Sequence, residues 1–502
     1  MTSPRAIVIG AGFGGMAAAL RLRARGYQVS IVDRAQRLGG RAQVFVRDGF
    51  RHDAGPTVIT APFLFDELFE LFGRRRDEYV DFVPLDPWYR FVYPDGESFD
   101  YGGSVESTLS EIARLSPADV NGYRSLVAKS EAIYEVGFEQ LADQPFHKLS
   151  SMFRLLPQLV RLRADRSVWQ LVSKHIRDDR IRQAFSIQPL LVGGNPFDTT
   201  SIYNLIHFLE RRWGIHFAMG GTGAIVDALA RLMHEVGIRT ELETTVEQII
   251  IENDRATGIR LANGRTMNAD LVVSNADPAH LYANMLERRY QTRQVRLKRR
   301  AAKFSMGMFV LYFGTRRQYH DVAHHTIWLG QRYRELLRDI FDRKILADDF
   351  SLYLHRPTAT DPSFAPAGRD SFYVLAPVPN LKGGVDWSVE GPRFRKRIVA
   401  ALDRTILPGL KHTIQSDFFM TPEDFRDDYL SVAGAGFSIA PLLRQSAWFR
   451  FHNRAEGPAN LLLVGAGTHP GAGLPGVLSS AKVLDRLVPR VGHAPAAFER
   501  AA

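Results

Sequence analysis

The sequence predicts an α/β fold, α+β overall, from three observations. A glycine-rich turn, GAGFGG at 10–15, joins an apolar strand to a helix close to the N-terminus. Two more glycine-rich turns follow strand-like runs far along the chain, in DAGPTVIT at 53–60 and LLLVGAGTHPGAGLPGV at 461–477. Between them a long helical stretch gives way to strands with period-two patterning, so the prediction is a Rossmann-like domain with a helical lobe and a mixed lobe.

The first unit reads strand 5–9, turn 10–15, helix 16–25, strand 27–32, closed by Asp33. Gly10, Gly12 and Gly15 form G-x-G-x-x-G, and an acid at the end of the second strand completes the dinucleotide fingerprint. Gly10 permits the tight turn, Gly12 lets a pyrophosphate approach the backbone, Gly15 lets helix and strand pack, and Asp33 is placed to accept ribose hydroxyls. RLGGRA at 37–42 then supplies Gly39, Gly40 and Arg41, whose amides and guanidinium suit the far side of the pyrophosphate. This second pair of glycines points to FAD rather than a nicotinamide cofactor. The other two turns add Gly55, Pro56 and Thr57, then Gly465, Gly467, Gly473, Pro475, Gly476 and Val477, so that two chain ends build one cofactor site.

The intervening elements follow in order. A PDG turn at 94–96 makes a hairpin of 88–93 and 98–101. Ser116-Pro117-Ala118-Asp119 reads as a capped start of a helix towards Gln140. Helical pattern runs from 146 to 208 with breaks at Pro157, Pro189 and 193–196, and a further helix spans 223–235. Strands return at 239–242, 246–252, 255–261 and, past Asn263-Gly264, 269–273. The region 304–440 mixes helices with strands such as 308–313, 351–355 and 372–376. The expected division is a discontinuous FAD-binding domain (1–100, 218–290, 455–502), a helical substrate or membrane lobe (101–217) and a mixed substrate lobe (291–454).

Composition bounds the chemistry. With 502 residues, 45% of them hydrophobic, the chain can bury a large core. It has no cysteine, which excludes disulfides, thiolate metal sites and cysteine nucleophiles, and the sequence suggests no metal ligand set. No apolar run approaches the ~18 residues of a spanning helix, and the early start of the first strand argues against a signal peptide. The excess of 64 Lys and Arg over 54 Asp and Glu favours an anionic partner; no nucleic-acid module accompanies it.

GAGFGG, GGRA, DAGPTVIT, LLVGGNPF (190–197), SIYNLIH (201–207), GGTGA (220–224), AHHT (323–326), FSLYLH (350–355), YVLAPVP (373–379), QSAWFR (445–450) and GAGTHPGAGLPG (465–476) appear in an order that resembles the bacterial-type phytoene desaturases, over essentially the whole chain. The resemblance implies an FAD-binding domain of the amine-oxidase and carotenoid-desaturase type, with the Val246 backbone near the adenine. It implies desaturation of phytoene to neurosporene or lycopene. Later-step carotenoid desaturases, isomerases or ketolases, amine or porphyrinogen oxidases, and non-enzymatic prenyl-lipid binders share the architecture.

The flavin would accept a hydride while a base or water takes the neighbouring proton; no base is assigned. His469 is the histidine nearest the cofactor turns, and reads as a loop residue bonded within its own turn. Arg154 is a candidate for the cavity wall or for a membrane-facing position. GGTG at 220–223 lacks dinucleotide spacing, so no nicotinamide site is found and oxygen or a quinone is the expected terminal acceptor. The basic, apolar stretch 147–174 and the basic run 288–303 suggest an anionic membrane surface. The expected location is cytoplasmic, peripheral to the cytoplasmic membrane.

Overall fold

The computed structural model describes residues 3–492. The first βαβ unit forms as expected, with strands Arg5–Ile9 and Gln28–Val32 flanking helix Phe13–Ala24. The two strands lie at the heart of a five-stranded parallel sheet, completed by Leu271–Ser274 and Leu461–Leu463 on one side and Arg239–Glu241 on the other. Both faces are covered, which is why these strands read as unbroken apolar runs rather than alternating ones. The helix is buried from Phe13 to Leu22 and packs against helices Gly221–Glu235 and Leu474–Lys482. A Cβ on Gly15 would stand 1.9 Å from the Gly10 carbonyl oxygen, so only glycine allows the strand and helix this close. The helix starts three residues earlier than its pattern suggests because the turn hands over directly at Gly12, its N-cap. Of the expected cofactor domain, 1–2 and 493–502 lie outside the described residues.

A seven-stranded sheet forms the second layer, in the order Ile414–Met420, Gly307–Thr315, Asp370–Val378, Leu352–His355, His325–Trp328, Tyr89–Val92, Ser98–Tyr101. Its pairings are antiparallel except that of Tyr89–Val92 with His325–Trp328. That pairing corrects the division at residue 100: the 89–101 hairpin folds with the substrate-side sheet, not with the nucleotide domain. Along Gly307–Thr315 the side chains alternate between two cores. Phe309, Leu311 and Phe313 pack beneath helix Trp387–Arg404, while Met308, Val310 and Tyr312 face a cavity.

The helical lobe differs locally from its sequence pattern. Instead of one helix to Gln140, a 3₁₀ turn at Pro117–Asp119 leads into helix Val120–Tyr134 and a π-helical turn, Glu135–Gln140. Ser116 caps nothing with its side chain. Asp119 is buried, and its carboxylate accepts from the Arg177 and Asp178 amides at 2.7 and 2.8 Å, fixing the approach to helix Asp179–Ser186. Pro157 does not break helix Leu149–Leu162; it lies on the exposed side, where water can serve the carbonyl it leaves without a donor.

Candidate active site

One cavity of about 1100 Å³ runs from the glycine turns into the space between the two sheets and the helical lobe. Its polar end is lined by Gly10, Gly12, Asp33, Gly39, Gly40, Arg41, Gly55, Pro56, Thr57, Val246, Gly467, Gly473, Pro475, Gly476 and Val477. Asp33 is held by the Ala11 amide, which donates to Oδ2 at 2.6 Å, and the Ala35 amide, which donates to Oδ1 at 2.8 Å. Each oxygen keeps acceptor capacity for a ribose hydroxyl. Gly12 and Gly39 form a bridge, and the Gly39 amide donates to the Ala11 carbonyl at 2.9 Å, so the two glycine turns are one surface. Arg41 is half-buried beside them and donates to Ser431 Oγ at 3.1 Å.

Two predicted contacts act differently. Gly15 and Gly465 do not line the cavity. Gly15 sets the helix–strand approach, and Gly465, at φ +99°, clears Asn275, whose Oδ1 would lie 2.5 Å from a Cβ there. Asn275 is the residue that sequence reasoning missed: its side chain sits against Gly12, Gly14 and Gly465 and lines the cavity, and its amide donates to the Ile9 carbonyl. The only sequence signal is its place at the end of strand Leu271–Ser274. Arg450 was also missed as a supporting residue. It is fully buried and donates to the Ala466 and Thr468 carbonyls at 2.6 and 2.9 Å, bracing the C-terminal glycine turn.

The DAGPT segment is pinned by Thr222, whose amide donates to Asp53 Oδ2 at 3.1 Å and whose hydroxyl donates to the Pro56 carbonyl at 2.9 Å. This is the structural role of GGTG. Burial pushes the Asp53 carboxyl up to about 7.

His469 is buried, yet it does not bond within its own turn. Its Nε2 bonds the Leu141 carbonyl at 2.8 Å and its ring meets Phe146 edge-on, tying the cofactor turn to the helical lobe. Burial lowers its pKa to about 4. Arg154 does not line the cavity. It lies on the exposed side of helix Leu149–Leu162, whose inner face presents Met152, Leu155 and Leu159 instead.

Beyond the glycine turns the cavity is apolar, walled by residues such as Leu190, Met308, Val310, Tyr312, Leu375 and Phe418. Glu210 is an exception. It is fully buried, accepts from the Tyr89 hydroxyl at 3.2 Å and from Gln188 Nε2 at 3.5 Å, and burial pushes it up to about 8. A carboxyl held above its ordinary value stabilises the fold below about 4.5, and that contribution is lost as pH rises through about 8. Glu210→Gln, with Gln188 turning its unpartnered Oε1 towards the new amide, is therefore expected to melt less pH-sensitively than wild type. The difference at pH 8 should be on the order of a few kcal/mol. Thermal melts of both proteins across pH 5 to 8 measure it; parallel profiles would show that Glu210 is ionised in the fold.

The polar end fits FAD on its own geometry: a glycine cradle with no side chains, an oriented carboxylate at the strand end, and a guanidinium across the turn. Comparison with known proteins agrees. Residues 13–483 match the family described as flavin containing amine oxidoreductase. The fold is shared with solved structures of low identity, including an oxidoreductase from Methanosarcina mazei (17% identity, TM-score 0.66, 96% of this chain and 100% of that one). Putrescine oxidase bound to putrescine is another (14% identity, TM-score 0.62, 96% and 97% coverage). The chain belongs to the flavin-containing amine oxidoreductase family, and it is an FAD-dependent oxidoreductase.

Within that family its similarity is to curated phytoene desaturases. The neurosporene-forming enzyme of Rhodobacter capsulatus is 46% identical over 97% of this chain and 94% of its own length. The lycopene-forming enzyme of Pseudescherichia vulneris is 47% identical over 96% of this chain and 99% of its own length.

Proposed function

We propose that this enzyme desaturates phytoene, giving neurosporene or lycopene. The observation that carries this reading is the continuity of one cavity from the FAD cradle into an apolar interior. Bound FAD supplies the hydride acceptor. The chain supplies orientation, dryness and charge stabilisation: the aromatic faces of Tyr312, Phe418, Tyr353 and Tyr373 line the cavity, and Tyr312 stacks on Phe418 at 4.6 Å. Such faces favour positive charge developing along a polyene as hydride leaves. The neighbouring proton goes to water, since burial lowers His469 to about 4, making it a weak base, and keeps Glu210 protonated near neutral pH. Glu210, held protonated near neutral pH, offers no anion to an ammonium group, which favours a hydrocarbon over an amine. Electrons then pass to oxygen or a quinone, since both glycine turns with dinucleotide spacing, 10–15 and 471–476, line the one FAD cavity and neither is left for a nicotinamide cofactor. Purified protein incubated with FAD and phytoene-loaded liposomes should develop the banded visible absorption of a conjugated polyene. A spectrum left unchanged after complete mixing would count against the reading.

We further propose that the enzyme lies on an anionic membrane surface on the cytoplasmic side. No helix among the described residues is long and apolar enough to cross a membrane. Helix Leu149–Leu162 nevertheless turns Phe153, Leu156 and Val160 outward, at 68%, 54% and 63% exposure, while its other face lines the cavity. Leu443 and Phe449 are both exposed and lining, so the cavity opens beside this stripe. Arg161 is exposed at the end of the same helix, whereas Arg163 pairs with Asp165 at 3.1 Å. The basic run 288–303 contributes less than its charge suggests, because Lys298 is turned inward to Glu456 at 2.6 Å.

A further inference from the structure

Two of the sequence segments, AHHT and FSLYLH, bring together three buried histidines that have no part in the site described so far. His325 and His355 are directly opposed in the antiparallel pairing of His325–Trp328 with Leu352–His355, which puts their side chains on one face. His324 precedes its strand, and its carbonyl accepts from the Arg356 amide at 2.8 Å, so its ring turns to the same point rather than to the opposite face. The ring centroids are 4.6 Å apart for His324 and His325, 4.8 Å for His324 and His355, and 5.3 Å for His325 and His355. One nitrogen from each ring lies within 4.8 Å of the others.

The hydrogen bonding around the cluster is outward. His324 Nδ1 bonds Thr360 Oγ1 at 2.6 Å and His325 Nδ1 bonds Tyr353 Oη at 2.8 Å. Their Nε2 atoms, and both nitrogens of His355, are buried without a protein partner. Leaving that many buried ring nitrogens unsatisfied is costly. His324 and His325 instead have the arrangement metal-bound histidines adopt, in which the outer nitrogen is fixed by a hydrogen bond and the inner one is bare, and His355 adds a third bare ring beside them. With Nδ1–H donating to Tyr353, that hydroxyl donates on to Thr57 Oγ1 at 2.8 Å, in the cavity wall. Phe217 closes the cluster from the side, its ring 4.7 Å from His324. The neighbouring Arg356 is directed away, to the Tyr319 and Val322 carbonyls and towards Asp370 at 3.7 Å.

We propose that His324, His325 and His355 bind one zinc ion, with water as the fourth ligand. Three neutral imidazoles suit a borderline divalent cation and leave one position open. Zinc–nitrogen bonds of about 2.0–2.1 Å set tetrahedral ligands roughly 3.4 Å apart, so loading draws the rings inward by about an ångström. The ion ties two inner strands of the seven-stranded sheet to the cofactor cavity through His325, Tyr353 and Thr57, and it is structural rather than redox-active.

The test uses FAD-loaded protein dialysed against metal-free buffer, then supplied with zinc or cobalt. Elemental analysis should find about one zinc per chain, and the cobalt form should show the intense visible bands of four-coordinate cobalt. His355→Asn should lower bound metal at least about 10-fold with flavin absorbance retained. Thr360→Val, which removes only the outer partner of His324, should weaken zinc affinity about 10-fold. Wild-type protein that neither carries nor takes up either metal overturns the proposal and assigns the four nitrogens to buried water. Retention of stoichiometric metal by His355→Asn overturns it equally. Should that variant fail to fold, the wild-type cobalt spectrum and Thr360→Val decide.

Discussion

Gly12→Val is expected to be purified without flavin. The backbone there, at φ −71°, tolerates any residue, so folding of the turn is not the obstacle. Space is: a Cβ at this position already lies 3.0 Å from Asn275 Nδ2, and Gly12 faces the cavity from the N-cap of helix Phe13–Ala24. The two branches of valine take the volume in which the helix N-terminus meets a pyrophosphate. Losing one or two charge-assisted hydrogen bonds, at about 1.5–3 kcal/mol each, weakens FAD by about 10-fold at the least and by more than about 1000-fold at the most. Flavin absorbance per chain and calorimetric titration of the apoprotein with FAD measure this, with circular dichroism as the folding control. Full flavin occupancy in the variant would place the cofactor elsewhere.

Replacing Phe153, Leu156 and Val160 together by Glu should separate lipid attachment from flavin binding. All three are exposed and none lines the cavity, so flavin content should stay at the wild-type level. On the proposed docking face each apolar side chain contributes on the order of 1 kcal/mol by leaving water, and each new carboxylate is repelled by anionic lipid. Flotation with anionic liposomes should fall at least about 10-fold, and turnover of liposome-borne phytoene should fall with it. Wild-type flotation should weaken at high salt without vanishing, because screening removes the electrostatic share and leaves the apolar one. A triple variant that floats and turns over like wild type would move the docking face elsewhere.

What the sequence made legible follows from the range of the interactions. The strands 5–9, 246–252 and 255–261 lie where their patterns put them, because apolar period and a turn residue at each end are local signals. The glycine cradle was legible because glycine is required wherever backbone meets backbone or pyrophosphate. Asn275 was not, because its role depends on Gly12 and Gly465 reaching it from opposite ends of the chain. The same holds for the 89–101 hairpin, whose parallel partner is His325–Trp328. Arg154 failed as a cavity residue because helix Leu149–Leu162 is apolar on two faces, and spacing alone cannot tell Met152, Leu155 and Leu159, which face inward, from Phe153, Leu156 and Val160, which face out. The Lys298 ammonium looked like surface charge, since nothing nearby in sequence announces Glu456.

The central claim, that a hydrocarbon reaches the flavin through the apolar cavity, is tested most directly by anaerobic reduction. FAD-loaded protein mixed under anaerobic conditions with phytoene in liposomes should lose its oxidised flavin absorbance, recover it on admission of oxygen or a soluble quinone, and remain oxidised when simple amines replace phytoene. Bleaching by the amines, with none by phytoene, would contradict the account and assign the cavity to an amine oxidase.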